Sequence, residues 1–165
     1  MITVETLEKI RLFNGVPEEH LVAIKDMLRS QTFAKGDTII LENTNSDEMF
    51  ILTEGKVIVT KELIKIAETV ESREKVLATL SSDIFPTFGE NGLLGSAPRT
   101  ANVIANSDCT IYILNKTDYE RFADQYLSSA YKIMINIAST LSQRLHDTDI
   151  NLVKLATAFY IAVQR

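Results

Sequence analysis

A carboxylate and a guanidinium nine residues apart, Glu90 and Arg99, stand among three glycines in the stretch FGENGLLGSAPRTANV, residues 88–103. A residue without a Cβ lets backbone N–H groups approach an anion closely, so Gly89, Gly92 and the neighbouring Leu93 are candidates for an anion cradle. Arg99 adds a planar, permanently charged fork that matches a phosphate. Glu90 repels an anion and beside one serves best as an acceptor for sugar hydroxyls. The set describes a ribose phosphate pocket, and the same spacing also fits a structural Glu–Arg pair in a loop. Other reactive constellations are missing from the sequence. His20 and His146 lie far apart in helical segments, which gives no metal-ligand spacing, and no nucleophile motif, P-loop or dinucleotide fingerprint occurs. The expectation is a protein that is not an enzyme and carries no metal and no cofactor.

The elements that must position these residues follow from composition and pattern. At 165 residues, 45% hydrophobic and 24% charged, the chain reads as one domain with a real core. A net charge of -5 argues against a surface that grips nucleic acid, so no direct DNA binding is expected. The acidic start MITVETLEKIRLF is no signal peptide and the tail LATAFYIAV is too short to span a bilayer, so no membrane partner is expected. Cys109, in SDCTIYIL, points into a strand core by alternation and has no partner cysteine, which suits the cytoplasm. Residues 3–30 read as two short helices around the turn NGVP. From Phe33 the runs DTIILE, EMFILTEG, KVIVTKEL, KVLATL, TANVIA and CTIYIL read as short strands of an antiparallel sandwich or barrel. The charged segment between Leu63 and Val76 reads as an exposed, lengthened hairpin connection, partly strand in character.

From Lys116 to Arg165 helical periodicity runs without Pro or Gly. Leu127, Tyr131, Met134, Ala138, Leu141, Leu145, Thr148, Leu152, Leu155, Phe159 and Ala162 fall at alternating steps of four and three, the seam of a coiled coil. The expected organisation is residues 1–118, helices plus β domain, and residues 119–165, a long dimerisation helix. A parallel homodimer is the expected assembly. A helix folded back on its own domain accounts for Ile133 and Ile137 but not for the seam beyond Leu152.

Phe88, Gly89, Glu90, Gly92, Leu93, Pro98, Arg99, Ala101 and Val103 resemble, position for position, the phosphate-binding cassette of the cyclic nucleotide-binding domain family. FAKGDTIILENTNSDEMFILTEGKVIV resembles that family's first strands, and LFNGVPEEHLVAI and ILNKTDYERF resemble its flanking helical segments. The resemblance implies an α+β, mainly β fold: an antiparallel jelly-roll β-roll with short N-terminal helices and a long C-terminal helix. It implies that Glu90 binds a ribose 2′-hydroxyl, that Arg99 binds the exocyclic oxygens of a cyclic phosphate, and that N–H groups near Gly89, Gly92 and Leu93 complete the cradle. Thr100 matches a Thr/Ser that serves both purines, so the ligand is cAMP, favoured, or cGMP. QRLHDTD is similar to the long helix of the catabolite-activator branch, which implies Thr148 and Asp149 at the base end of the pocket. Transcription factors of that branch continue into a helix-turn-helix, whereas this sequence ends at Arg165, so the expectation is either a fragment of a regulator or a chain that acts through a separate output partner. The alternative is the same fold kept for protein contacts without a nucleotide. Departures are three extra residues and Ser82 in SSDIFPTFGE, and Asn91 at a usually apolar position.

Overall fold

The computed structural model describes residues 1–62, 74–95 and 98–164. The connection expected between Leu63 and Val76 falls outside them up to residue 73. Among the described residues, eight strands form two four-stranded antiparallel sheets. One has the order β1 (Arg29–Phe33), β8 (Cys109–Asn115), β3 (Glu48–Glu54), β6 (Thr87–Phe88), and the other β2 (Thr38–Ile40), β7 (Asn102–Ala105), β4 (Lys56–Glu62), β5 (Glu74–Ser81). This is the β-roll expected.

Strand alternation puts successive side chains on opposite faces, and here both faces of the first sheet are buried. Phe50 and Leu52 of β3, with Ile111 and Ile113 of β8, point between the sheets towards Val57 and Val103. Cys109 joins them, buried as its alternation predicts. Met49, Ile51, Tyr112 and Leu114 point the other way, into a second core made with the helices. There α1 (Val4–Glu8), a 3-10 turn at Arg11–Phe13 and α2 (Glu18–Met27) supply Leu7, Ile10, Phe13, Leu21 and Ile24. Two strands had no sequence signal: β1 is polar and mostly exposed, and β6 is two residues long. The helical reading of residues 3–30 therefore overruns into Arg29 and Ser30, which pair with Ile113 and Tyr112.

The C-terminal helix is two helices. α4 (Lys116–Gln125) ends at Tyr126, whose φ of -130° and ψ of 54° break the run, and α5 (Leu127–Val163) follows over 37 residues, about 55 Å long. Tyr126 packs on Phe122 and His20, with ring centroids 5.2 and 4.3 Å apart. The bend lets α4 bury Tyr119 and Phe122 while α5 crosses the N-terminal helices and buries Ala130, Ile133 and Ile137. A straight rod touches a rounded domain over only a few turns; the break at Tyr126 lets both halves seat. Polar bonds lock α5 there: His20 Nδ1 and Ser129 Oγ lie 2.7 Å apart, Lys132 donates to the Gly15 carbonyl, and Asn136 donates to those of Leu12 and Asn14.

Tyr119 completes the lock by donating its hydroxyl to the Ala130 carbonyl at 2.8 Å, and burial pushes its pKa up to about 12. The folded state thus holds this proton more tightly than the unfolded chain, where a tyrosine ionises near 10. The stabilisation is complete below pH 10 and is lost as the pH rises towards 12. The midpoint of urea unfolding should fall steeply over this window, and Tyr119→Phe should flatten the fall at the cost of one buried hydrogen bond, about 1 kcal/mol. An unchanged alkaline slope in Tyr119→Phe would assign the loss to other groups.

Candidate functional site

Between the sheets and α5 lies a cavity of about 270 Å³. Ile40, Val59, Ala78, Leu80 and Val103 make its apolar wall, while Gly89, Glu90, Asn91, Arg99, Thr100 and Arg144 bring the polar groups. Two buried charges face this space: Glu90 is 5% exposed and Arg99 is 4% exposed. Charges so far from water are kept only when other groups satisfy them, and the local fold supplies those groups.

Arg99 is fixed at both ends. Its N–H donates to the Thr44 carbonyl and its own carbonyl accepts from the Asn43 N–H, both at 2.8 Å, which staples it to the turn after β2. Its fork donates to the carbonyls of Gly89, at 2.8 Å, and Glu48, at 2.6 Å. The guanidinium carbon lies 5.6 Å from the centre of the Phe50 ring, within cation–π range. Burial lowers the Arg99 pKa, and the nearby carboxylates of Glu48, Glu90 and Asp47 oppose the shift, so the group keeps its charge in a place where charge is costly. Next to it, the Thr100 carbonyl accepts from Lys61 Nζ at 2.9 Å and the Thr100 side chain is exposed.

The glycines serve two ends. Gly89 takes φ +76°, the left-handed region, and a Cβ there would stand 2.8 Å from Arg99 Nη1. Gly92 lies in α3 (Asn91–Leu94), pressed on β3 so closely that a Cβ would fall on the Glu48 carbonyl oxygen. Gly92 and Leu93, expected in the cradle, are buried beneath it and do not line the cavity; their N–H groups donate to the carbonyls of Gly89 and Glu90. Among the described residues the N–H groups of Glu90 and Asn91 have no hydrogen-bond partner, and these two residues do line the cavity. Of the expected glycine set, Gly89 lines the cavity, and the N–H groups nearest the space are those of Glu90 and Asn91 rather than those of Gly92 and Leu93. Upstream, a 3-10 turn, Ser82–Ile84, closed by Phe85 at φ +46°, leads into β6, and Glu90 and Arg99 face one cavity.

Sequence reasoning missed Arg144. From α5 it donates to Glu90 Oε1 at 2.9 Å and to the Thr87 carbonyl at 2.7 Å, and so ties the helix to the lip of the cavity. Leu141, one turn earlier, closes the same side. The signal lay in QRLHDTD itself, where Arg144 stands four residues before Thr148 and on the same helix face. Thr148 and Asp149 are exposed on α5 and do not line the cavity; the Thr148 hydroxyl donates to the Arg144 carbonyl at 2.8 Å.

Two buried, opposite charges, the N–H groups of Glu90 and Asn91 and an apolar wall thus converge on one cavity. The model of the cyclic nucleotide-binding domain matches residues 30–126, which hold every one of these groups except Leu141 and Arg144. The chain belongs to the cyclic nucleotide-binding domain family. It is 37% identical over 101 residues to the cGMP-dependent protein kinase, isozyme 2 forms cD5/T2, of Drosophila melanogaster, covering 61% of this chain and 10% of the kinase. It is 32% identical over 115 residues to the cAMP-dependent protein kinase regulatory subunit of Hypocrea atroviridis, covering 70% of this chain and 22% of that protein. The chain thus spans a small part of the curated relatives it matches. Among solved structures, the Thermus thermophilus catabolite activator protein superposes with a TM-score of 0.74 at 23% identity, over 88% of this chain and 63% of that one. The regulatory domain of Toxoplasma gondii PKA, solved with cAMP, gives 0.64 at 23% identity, over 83% and 48%. Both likenesses speak to the fold. Among the described residues no three His, Cys, Asp or Glu side chains converge as metal ligands, and no helix is long and apolar enough to cross a membrane.

Proposed function

We propose that the chain is a cyclic nucleotide sensor, with cAMP the favoured ligand and cGMP the second candidate, that signals through α5 to a separate output partner. The observation that carries this is the buried pair, Glu90 and Arg99, facing one cavity from the two ends of the cassette. Arg99 takes the exocyclic phosphate oxygens, the open N–H groups of Glu90 and Asn91 assist it, and Glu90 accepts the ribose 2′-hydroxyl. The base lies on the apolar wall beside Thr100. Thr148 and Asp149 read the base only after α5 has moved or a second copy has brought its own helix to the opening. Pairing of two copies along the exposed seam, in which Leu145, Leu152, Leu155 and Phe159 all face solvent in the single chain, puts them there. The acidic chain gives its output by contact with protein rather than with DNA, and its one buried thiol suits the cytoplasm.

Arg144 couples the site to the helix. Arg144 occupies Oε1 of Glu90 at the lip of the cavity, so a ribose hydroxyl that takes the same oxygen competes with the tie between α5 and the lip. Calorimetric titration of the whole chain with both cyclic purine nucleotides tests the reading; no heat with either at high micromolar concentration would leave a domain kept for protein contacts. In Arg144→Ala the internal competitor is gone. The pair is half-exposed on the arginine side, which limits its worth to about 0.5–1 kcal/mol, so nucleotide affinity should rise about two- to fivefold. A fall in affinity would show instead that Arg144 holds the ligand.

A further inference from the structure

The outer surface of α5 changes character at Ile150. Consecutive residues of an α-helix point about 100° apart, so the seam through Leu152, Leu155, Phe159 and Ala162 has a neighbouring stripe, one residue on, at about 100° to it. That stripe runs 142, 146, 149, 153, 156, 160, 163, at the same alternating steps of four and three. Its first three members are polar, Ser142, His146 and Asp149, as the flank of a two-stranded coil should be. Its last four, Val153, Ala156, Tyr160 and Val163, are small or apolar, and all are exposed in the single chain. Two seams therefore run side by side from Leu152 to Val163, whereas one runs from Leu141 to Thr148.

Two seams on one helix require two helical neighbours. In a trio the two neighbours lie about 60° apart and in a square of four about 90° apart, so stripes set about 100° apart fit four helices. The stripes are also nearly free of charge: Lys154 is the one charged residue between Ile150 and Gln164, so nothing here selects a partner of opposite charge. Identical seams offset by one residue are complementary to themselves, and four copies cover both stripes of every helix.

We propose that the last turns of α5, Leu152–Val163, join two dimers of this chain into a tetramer through the stripe Val153, Ala156, Tyr160 and Val163. The inference rests on the reading that the first seam pairs two copies. Analytical ultracentrifugation of the full chain separates the two claims. Four chains per particle are expected, and the double variant Val153→Glu/Tyr160→Glu should halve that mass to two. A wild-type particle of two chains overturns the tetramer and leaves the dimer standing. A particle of one chain overturns both. A double variant that keeps four chains overturns the assignment of the second stripe. Circular dichroism checks that the variant keeps its helix, and Val163→Glu alone, close to the helix end, should weaken the tetramer in the same direction, shown by dissociation to two chains at a higher concentration than wild type.

Discussion

Arg99→Ala should abolish useful nucleotide binding. Removing one partner of a buried, hydrogen-bonded charge interaction costs about 3 kcal/mol or more, which corresponds to at least about a hundredfold loss of affinity by calorimetry. The loss has two parts. The phosphate loses its fork, and the carbonyls of Gly89 and Glu48, which now accept from Arg99, lose a donor. Arg99→Lys separates them: a lysine keeps the charge but cannot reach both carbonyls and a phosphate at once, so it should recover part of the affinity and little of the specificity. Binding that survives Arg99→Ala unchanged would remove the phosphate from this end of the cavity.

Gly92→Ala should damage the domain severely. The added carbon has nowhere to go, because the Glu48 backbone occupies its place and β3 is buried on both faces. Overpacking of this kind costs about 3 kcal/mol at the upper end of its usual range, a fall of roughly 6–12 °C in melting temperature for a domain of this size. The same push tilts α3, which begins immediately after Glu90, so ligand binding should weaken beyond what the lost stability explains. A variant that melts within about 2 °C of wild type would mean that α3 has room to lift off β3. Gly95 is the control, since a Cβ there meets nothing within 4 Å.

The site was legible where its chemistry needs particular residue types. By spacing alone Glu90 and Arg99 fitted a structural loop pair as well as a pocket; the match of the surrounding glycines, Pro98, Ala101 and Val103 to a phosphate-binding cassette is what singled them out. Gly92 was legible as necessary and misread as to why: a glycine that meets a ligand and a glycine that meets a strand look the same in sequence, and only the Glu48 carbonyl tells them apart. Arg144 was hidden because a cation on a helix is ordinary, and its partner lies 54 positions away. The fold followed the same rule. Strands with one apolar side per residue pair stood out, whereas β1, polar along its length, is a strand only because β8 pairs with it. The break at Tyr126 carries no Pro or Gly; it is imposed by aromatic packing on Phe122 and His20, a tertiary cause that periodicity cannot register.

The way α5 is fastened makes it a lever. Its first three turns are bolted to the N-terminal helices through Ser129, Lys132 and Asn136, and the cavity touches it just beyond the bolts, at Leu141 and Arg144. Past that point no hydrogen bond or ion pair among the described residues ties the helix to its own domain, and its residues are exposed. From Arg144 to Val163 it extends about 28 Å, so a tilt of about 10° at the cavity, a shift of about an ångström in the side chains there, would carry the tip sideways by about 5 Å. The load arm is long and the effort arm short: on the sensor reading, a ligand small enough to fit between two sheets would gain the travel needed to make or break contacts made by the tip.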